Sequence, residues 1–477
     1  MTGFCATSPK EKPNRNRWMV TKRAVIIGAG LAGSEAAWQL AERGVDVRLI
    51  EMRPQRMTPA HRTDRFAELV CSNSFKSAAL PSAAATLKAE LTLAGSLLMQ
   101  CARDSQVRAG SALAVDRDRF SALVTTALSE HTRIKIIRCE LHCLSDARRF
   151  SDEAVIVATG PLTSDALSAS IAATLGGNAL SFYDAAAPIV MADSLNSEIL
   201  FAQSRYSNEG GDYLNAPLSR EHYECLIDAL LAAKRVRQRD FEQSELFSAC
   251  QPIEEVARSG RDAPRFGALK PVGISDPTTG RRPWAVVQLR AENAQRSAYN
   301  LVGFQTNLTF AEQQRVFRLI PGLEQAEFAR FGVMHRNSFL DTPRALGPTL
   351  EHPRDPLLRF AGQLTGTEGY SEAVASGLYT ALASYAALAG LPAPTLPPET
   401  TFGALLAYAT DPATRDYQPM HVNYGLMMPL VNKPKRKQAR YEAYSTRALA
   451  AAHASIAARP DLWPPAPSRL AQGRLAT

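Results

Sequence analysis

The 477-residue sequence has no run approaching the ~18 consecutive apolar residues that a membrane-spanning helix needs, which excludes a helical membrane anchor. Residues 1–23 are polar and basic and lack the apolar centre of a secretory signal, so a cytoplasmic protein is expected. Cysteine is sparse. The seven (Cys5, Cys71, Cys101, Cys139, Cys143, Cys225, Cys250) are an odd number with no CxxC pair, which argues against a disulfide framework and for free thiols. Cys139 and Cys143 lie four apart in a strand-like run without a second ligand pair, so no metal site is predicted. Repeats of solenoid period are also missing. With 28 Gly and 30 Pro in a chain that is 45% hydrophobic, neither collagen nor low-complexity disorder fits.

What the sequence does have is length and positive charge. Its size allows two or three domains at roughly 150 residues each. A net charge of +8 favours an anionic partner. Residues 24–30 (AVIIGAG) read as a buried strand ending in glycines, residues 31–43 as a helix stopped by Gly44, and residues 45–51 as the next strand. This has the size of a right-handed strand–helix–strand crossover. A later strand over 154–158 runs into a sharp turn at Gly160. Between about 194 and 332 the glycine-ended strands thin out, and glycine-rich nucleotide chemistry resumes at 360–377. The expected organisation is a basic extension (1–22), a discontinuous nucleotide-binding domain (23–194 and 333–458), an inserted α/β domain facing substrate (195–332) and a Pro-rich tail (459–477). Residues 390–401 read as a linker.

Gly28-Ala29-Gly30-Leu31-Ala32-Gly33 is a GxGxxG loop at a strand-to-helix junction, and Glu51 ends the next strand 18 residues after Gly33. The first glycine permits the turn, the second lets backbone approach a pyrophosphate, and the third lets helix and strand pack closely. The helix N-terminus presents N–H groups to phosphate, and Glu51 is placed to accept from ribose hydroxyls. NAD and FAD both suit this unit. Two further segments favour FAD. IVATG, ending at Gly160, resembles the second glycine turn of two-dinucleotide flavoproteins. FAGQLTGTEGYSEAVASGL (360–378), with Gly362, Gly366, Gly369 and Tyr370, resembles the segment that closes over the flavin end.

Seven stretches are more specific: TPAHRTDRFAELVCSNSFKS (58–77), ALAVDRDRFS (112–121), VATGPLTS (157–164), FYDAAAPIV (182–190), KPVGISDPTTGRRPWAVVQLR (270–290), YNLVGFQTNL (299–308) and RVFRLIPGLEQAEFARFGVMHRN (315–337). They resemble the TrmFO family of folate- and FAD-dependent tRNA uridine C5-methyltransferases, whose relative GidA shares the flavin elements. The resemblance runs from about residue 24 to 440. It implies a two-dinucleotide α/β flavoprotein that methylates the T-loop uridine of tRNA, using 5,10-methylenetetrahydrofolate and NAD(P)H as co-substrates and no obligatory protein partner. It also implies roles. Cys250 matches the nucleophile that adds at uracil C6, and Cys71 the base that takes the C5 proton. Asn307 stands where many family members carry a histidine placed to stack on folate, and SACQPIE around Cys250 departs slightly from the usual GCxPIE.

Lys234, Arg235 and Arg237, and separately Lys435, Arg436 and Lys437, form basic runs suited to tracking RNA phosphates. Three other readings stay open on sequence: the same chemistry on ribosomal RNA, a GidA-like modification of a wobble uridine, and a flavoprotein that binds RNA without catalysis.

Overall fold

The computed structural model describes residues 22–176, 179–185, 187–205, 211–236, 251–293, 295–332, 334–414 and 417–463, with the side chains of 179–185 and 334–338 left aside. Its main sheet has six strands in the spatial order Glu351–His352, Asp355–Phe360, Ala154–Val157, Arg23–Ile27, Asp46–Glu51 and Ile134–Arg138. All neighbours are parallel except the short edge strand Glu351–His352. Strand order reverses beside Arg23–Ile27. The chain moves to one side for Asp46–Glu51 and later returns to the other for Ala154–Val157. Ligands of open α/β sheets bind in the crevice that such a reversal leaves at the carboxyl ends of the strands.

The first strand stops at Ile27, three residues short of the sequence expectation, because Gly28 turns at φ +95° and leaves extended geometry. The helix Leu31–Glu42 follows and ends through Arg43 and Gly44, the latter at φ +77°. It packs on the long helix Tyr370–Ala389 at very close range. A β-carbon on Gly377 would fall 2.1 Å from the Ala32 carbonyl oxygen, so only glycine permits the approach. These helices and the parallel strands share one core, with Val25, Ile26, Leu40, Leu49, Val155 and Phe360 fully or almost fully buried. The stretch expected as a linker starts with Gly390 capping the long helix in left-handed conformation and ends at the helix Thr401–Thr410.

The chain leaves and returns through an antiparallel ribbon, Ala179–Ala185 against Met334–Leu340. Between them a second, wholly antiparallel sheet runs in the order Phe201–Ala202, Tyr213–Leu218, Ala285–Ala291, Ala298–Leu301, Ile189–Met191 and Phe328–Arg330. The helix Arg220–Ala232, capped by Ser219 accepting from the His222 N–H, covers it with a separate core that includes Tyr223, Leu226, Phe304 and Phe317. A three-stranded piece, Ser74–Ser77, Ala112–Val115 and Gln106–Val107, hangs from the parallel domain and faces this second sheet.

Candidate active site

The glycine loop sits at the strand-order reversal. The Gly28 N–H donates to the Ile50 carbonyl at 2.8 Å, tying the loop to the adjacent strand. A β-carbon on Gly33 would lie 1.9 Å from the Gly28 oxygen, and one on Gly28 would lie 2.6 Å from the Ala158 oxygen. Gly30, the N-cap of the helix, differs: a β-carbon there meets nothing within 4 Å. Two glycines are filled by protein and the middle one opens on space. That cradle fits a pyrophosphate at the positive end of a helix.

Glu51 lies beside it, buried, its Oε2 accepting from the Ala29 N–H at 2.9 Å and its Oε1 from the Arg53 backbone N–H at 3.1 Å and Nε at 2.9 Å. Burial alone would push this carboxyl upward; Arg53 outweighs it and holds Glu51 below the usual carboxylate range. Arg53 also reaches Glu68 at 3.2 Å. His61, hydrogen-bonded to Thr58, is pushed down to about 4 by burial and Arg53, and is therefore neutral near pH 7. Sequence reasoning assigned no role to Arg53, Thr58, His61 or Glu68, although the last three lie in the stretch 58–77.

The other two glycine segments converge here. Gly160 (φ +67°) follows the strand whose extension, the Ala158 N–H, donates to the Ile27 carbonyl. The Ala361 N–H donates to the Val157 carbonyl, and the Gly362 N–H to Ser376 Oγ at 2.6 Å. Gly369 caps the helix that begins at Tyr370. A cavity of about 570 Å³ extends from Gly28, Gly30 and Glu51, past Gly160, Gly362 and Gly369, to Cys71, Tyr370, Arg290 and Gln305. Its volume falls within the ordinary range for cofactor pockets. Gly366 is turned toward protein instead: a β-carbon on it would fall 2.3 Å from the Tyr417 hydroxyl, so this glycine serves packing behind the wall.

At the far end, the Tyr370 hydroxyl accepts from the Cys71 and Ser72 N–H groups, each at 3.0 Å, and donates to the Ser72 carbonyl at 2.9 Å. Arg117 donates to the Leu69 and Cys71 carbonyls at 2.7 and 3.3 Å and pairs with Glu292 of the second sheet region. Arg290, buried on the strand Ala285–Ala291, donates to Asn73 Oδ1 at 2.8 Å, while Asn73 Nδ2 donates to the Val115 and Ala291 carbonyls. The Cys71 segment is thus fixed to both sheets. Cys71 is partly exposed, carries no disulfide, and lies in the electrostatic reach of Arg117, Arg290 and Arg330.

Cys250 and Arg237 lie outside the described residues. The chain directly after Cys250 is anchored at the cavity: the Ile253 N–H donates to the Gln305 carbonyl at 2.8 Å, and Gln305 lines the wall. Asn307, two residues on, is buried; its N–H donates to Glu254 Oε1 at 2.7 Å and its carbonyl accepts from Val236. Gln305, rather than Asn307, is the member of GFQTNL that reaches the cavity wall. Lys234 is exposed, and Arg235 is paired with Glu255 at 2.6 Å. Lys435, Arg436 and Lys437 are exposed at the N-terminus of the helix Lys437–Ala457. Cations there oppose the helix dipole, a position that bound phosphate would relieve. Among the described residues no group of His, Cys, Asp or Glu is placed to hold a metal ion, and no helix is long and apolar enough to cross a membrane.

A parallel sheet with a glycine cradle at its strand-order reversal, an acid at the end of the second strand, and a cavity leading on to a second sheet define a dinucleotide-binding flavoprotein fold. The family described as glucose inhibited division protein A matches residues 23–392. The solved structure of Aquifex aeolicus GidA superposes with a TM-score of 0.65 at 15% identity, covering 92% of this chain and 74% of that one, which shows the shared fold. The methylenetetrahydrofolate–tRNA-(uracil-5-)-methyltransferase TrmFO of Heliobacterium modesticaldum is 51% identical over 424 residues, 89% of this chain and 95% of its own. That of Geobacter sulfurreducens is 52% identical over 422 residues, 88% of this chain and 96% of its own. The chain belongs to the TrmFO family.

Proposed function

We propose that this protein transfers the one-carbon unit of 5,10-methylenetetrahydrofolate to C5 of the T-loop uridine of tRNA, with FAD bound in the cavity and NAD(P)H as reductant. The observation that carries this reading is the continuity of one cavity from the open glycine cradle at Gly30 to the partly exposed Cys71, with Arg290 on the same wall. The carbon of methylenetetrahydrofolate is at the formaldehyde level, and the flavin, when bound, supplies the two electrons that turn it into a methyl group.

The chain's own residues handle position and protons. Gly28–Gly33 and Glu51 hold the pyrophosphate and ribose, with Gly160, Gly362 and Gly369 lining the remainder of the flavin path. Uracil C5 is a weak nucleophile until a group adds at C6. Cys250 is assigned that role: its thiolate forms the S–C6 bond, and C5 then attacks the one-carbon unit. Cys71 is assigned as the base that takes the C5 proton, after which the C6–S bond breaks and the uracil ring is restored. The Tyr370 and Arg117 contacts hold the Cys71 backbone in register for that transfer. The uridine has to leave its stack to reach this depth, and Lys234, Arg235, Arg237 and Lys435–Lys437 are the proposed phosphate contacts. Mass spectrometry of tRNA nucleosides from cells lacking the protein is the test. Loss of T-loop 5-methyluridine is expected; intact T-loop methylation with loss from ribosomal RNA would overturn the choice of substrate.

A further inference from the structure

Phenylalanines of the second sheet region form a ladder that runs from its core to its surface. Phe304 and Phe317, both fully buried, meet edge to face at 5.4 Å between ring centroids. Phe328 lies 6.5 Å from Phe317, and from there the rings turn nearly parallel. Phe328 stacks on Phe331 at 5.1 Å and 14°, and Phe331 on Phe310 at 4.7 Å and 16°. The ladder ends in water. Phe310 is 53% exposed although Phe331 covers one of its faces, so the opposite face is the open one. A single exposed phenylalanine would need no explanation; a parallel stack with a fixed last ring does. The fixing is done by Gln313, buried on the helix Phe310–Phe317. Its Nε2 donates to the Gly332 carbonyl and its Oε1 accepts from the Gly332 N–H, each at 2.8 Å, which pins the residue after Phe331 to the helix that carries Phe310. The described chain nearby is tied upstream of the ring, Val236 to the Asn307 carbonyl and Ile253 to the Gln305 carbonyl.

Cations flank the ladder. Arg62 is exposed and reaches the Ala329 carbonyl at 3.5 Å, and Lys234 is exposed with its carbonyl bonded to the Thr309 N–H. Arg330, between Phe328 and Phe331 in the chain, lies in the electrostatic reach of both Arg62 and Cys71. Glu312 on the same helix is paired with Arg315, and the exposed Glu327 stands at the other end of the strand from Phe331. A flat apolar face bordered by cations is what single-stranded nucleic acid binds: the base stacks and its phosphates pair. We propose that Phe310 is a stacking platform for an unpaired T-loop base of the tRNA, with Arg62 and Lys234 on the adjoining phosphates. This rests on the reading that tRNA is the substrate. The target uridine has to reach Cys71, on the wall of the flavin cavity, and Phe310 is not on that wall. The base on Phe310 is therefore a neighbour, one that loses a stacking partner when the uridine leaves. Because Gln313 already holds the stack, little ordering is left to be done on binding.

The test uses the full-length, flavin-loaded protein and fluorescently labelled tRNA transcript, with affinity read by anisotropy over a series of salt concentrations. Phe310→Leu keeps an apolar side chain against Phe331 but offers no aromatic face. It should weaken tRNA binding by about tenfold, within the range for one lost base–aromatic stack. The slope of log affinity against log salt should not change, since no phosphate contact is removed. Flavin content and melting temperature should stay at wild-type values. Phe310→Trp should bind at least as tightly as the wild type. Transcripts with one abasic T-loop nucleotide then identify the base. At one position other than the target, the lesion should weaken the wild type by about tenfold and Phe310→Leu no further. Full tRNA affinity in Phe310→Leu, equal losses in the Leu and Trp variants, or abasic losses that all add to the substitution would each overturn the inference. A wild type that binds ribosomal RNA but no tRNA would overturn the choice of substrate instead.

Discussion

The two ends of the flavin cavity are built on opposite principles. The pyrophosphate end is backbone and glycine, drawn from residues 28–33 and held by hydrogen bonds between neighbouring strands. The Cys71 end is side chains brought from far along the sequence. Tyr370 holds the backbone of Cys71 and Ser72 across about 300 positions, and Arg290 reaches Asn73 across 217. The first end is rigid because no side chain is there to move. The second is rigid only while two sheets stay docked through Arg117–Glu292 and Arg290–Asn73. Binding the cofactor and aligning the reacting sulfur are thus separable by mutation.

The largest effects should come from the glycine end, and they should split there. Gly33→Ala puts a β-carbon 1.9 Å from the Gly28 oxygen, so the loop has to move and the fold should lose several kcal/mol, about 3 or more, along with its flavin. Gly30→Val meets no protein and should melt close to the wild type, yet be isolated colourless because the side chain occupies the pyrophosphate space. Thermal melts and flavin absorbance read both; a yellow Gly30→Val protein would remove the ligand from this cradle.

That contrast also explains what could be read from the sequence. The strand–helix–strand unit, its glycines and Glu51 are contiguous, so their spacing alone announces the fold and one half of the site. Cys71 and Tyr370 were picked out only by family motifs, and nothing in the sequence predicts that one hydroxyl would accept from two N–H groups at the other. Arg117 and Arg290 fall within the quoted stretches 112–121 and 270–290, yet nothing there or at Glu292 announces their partners, because an arginine reads as solvated until its partner is known. Asn307 shows the converse: its motif drew notice, while the structure places Gln305 on the cavity wall.

An intermediate effect is expected at the RNA surface, remote from both ends. Neutralising Lys435, Arg436 and Lys437 together should flatten the slope of log affinity against log salt by roughly two to three units, at about 0.9 for each phosphate no longer neutralised by the protein. Flavin content should not change. An unaltered slope would return these three to ordinary solvated surface.

The smallest change should be Tyr370→Phe. It leaves the Cys71 and Ser72 N–H groups without their acceptor, which should cost about 1–3 kcal/mol in urea denaturation. Methylation should fall while the flavin stays bound, since the ring remains to line the cavity. Equal loss of flavin and activity would show that the two ends are not separable after all.

The most direct measurement is covalent trapping on 5-fluorouridine tRNA, read as a shifted band on a denaturing gel with single cysteine variants. Cys71→Ala should keep the band, because sulfur still adds at C6 and the C5 fluorine, which no base removes, holds the adduct; Cys250→Ala should lose it. A band lost in Cys71→Ala and kept in Cys250→Ala would reverse the two roles, and full methylation by both variants would contradict the account of this site.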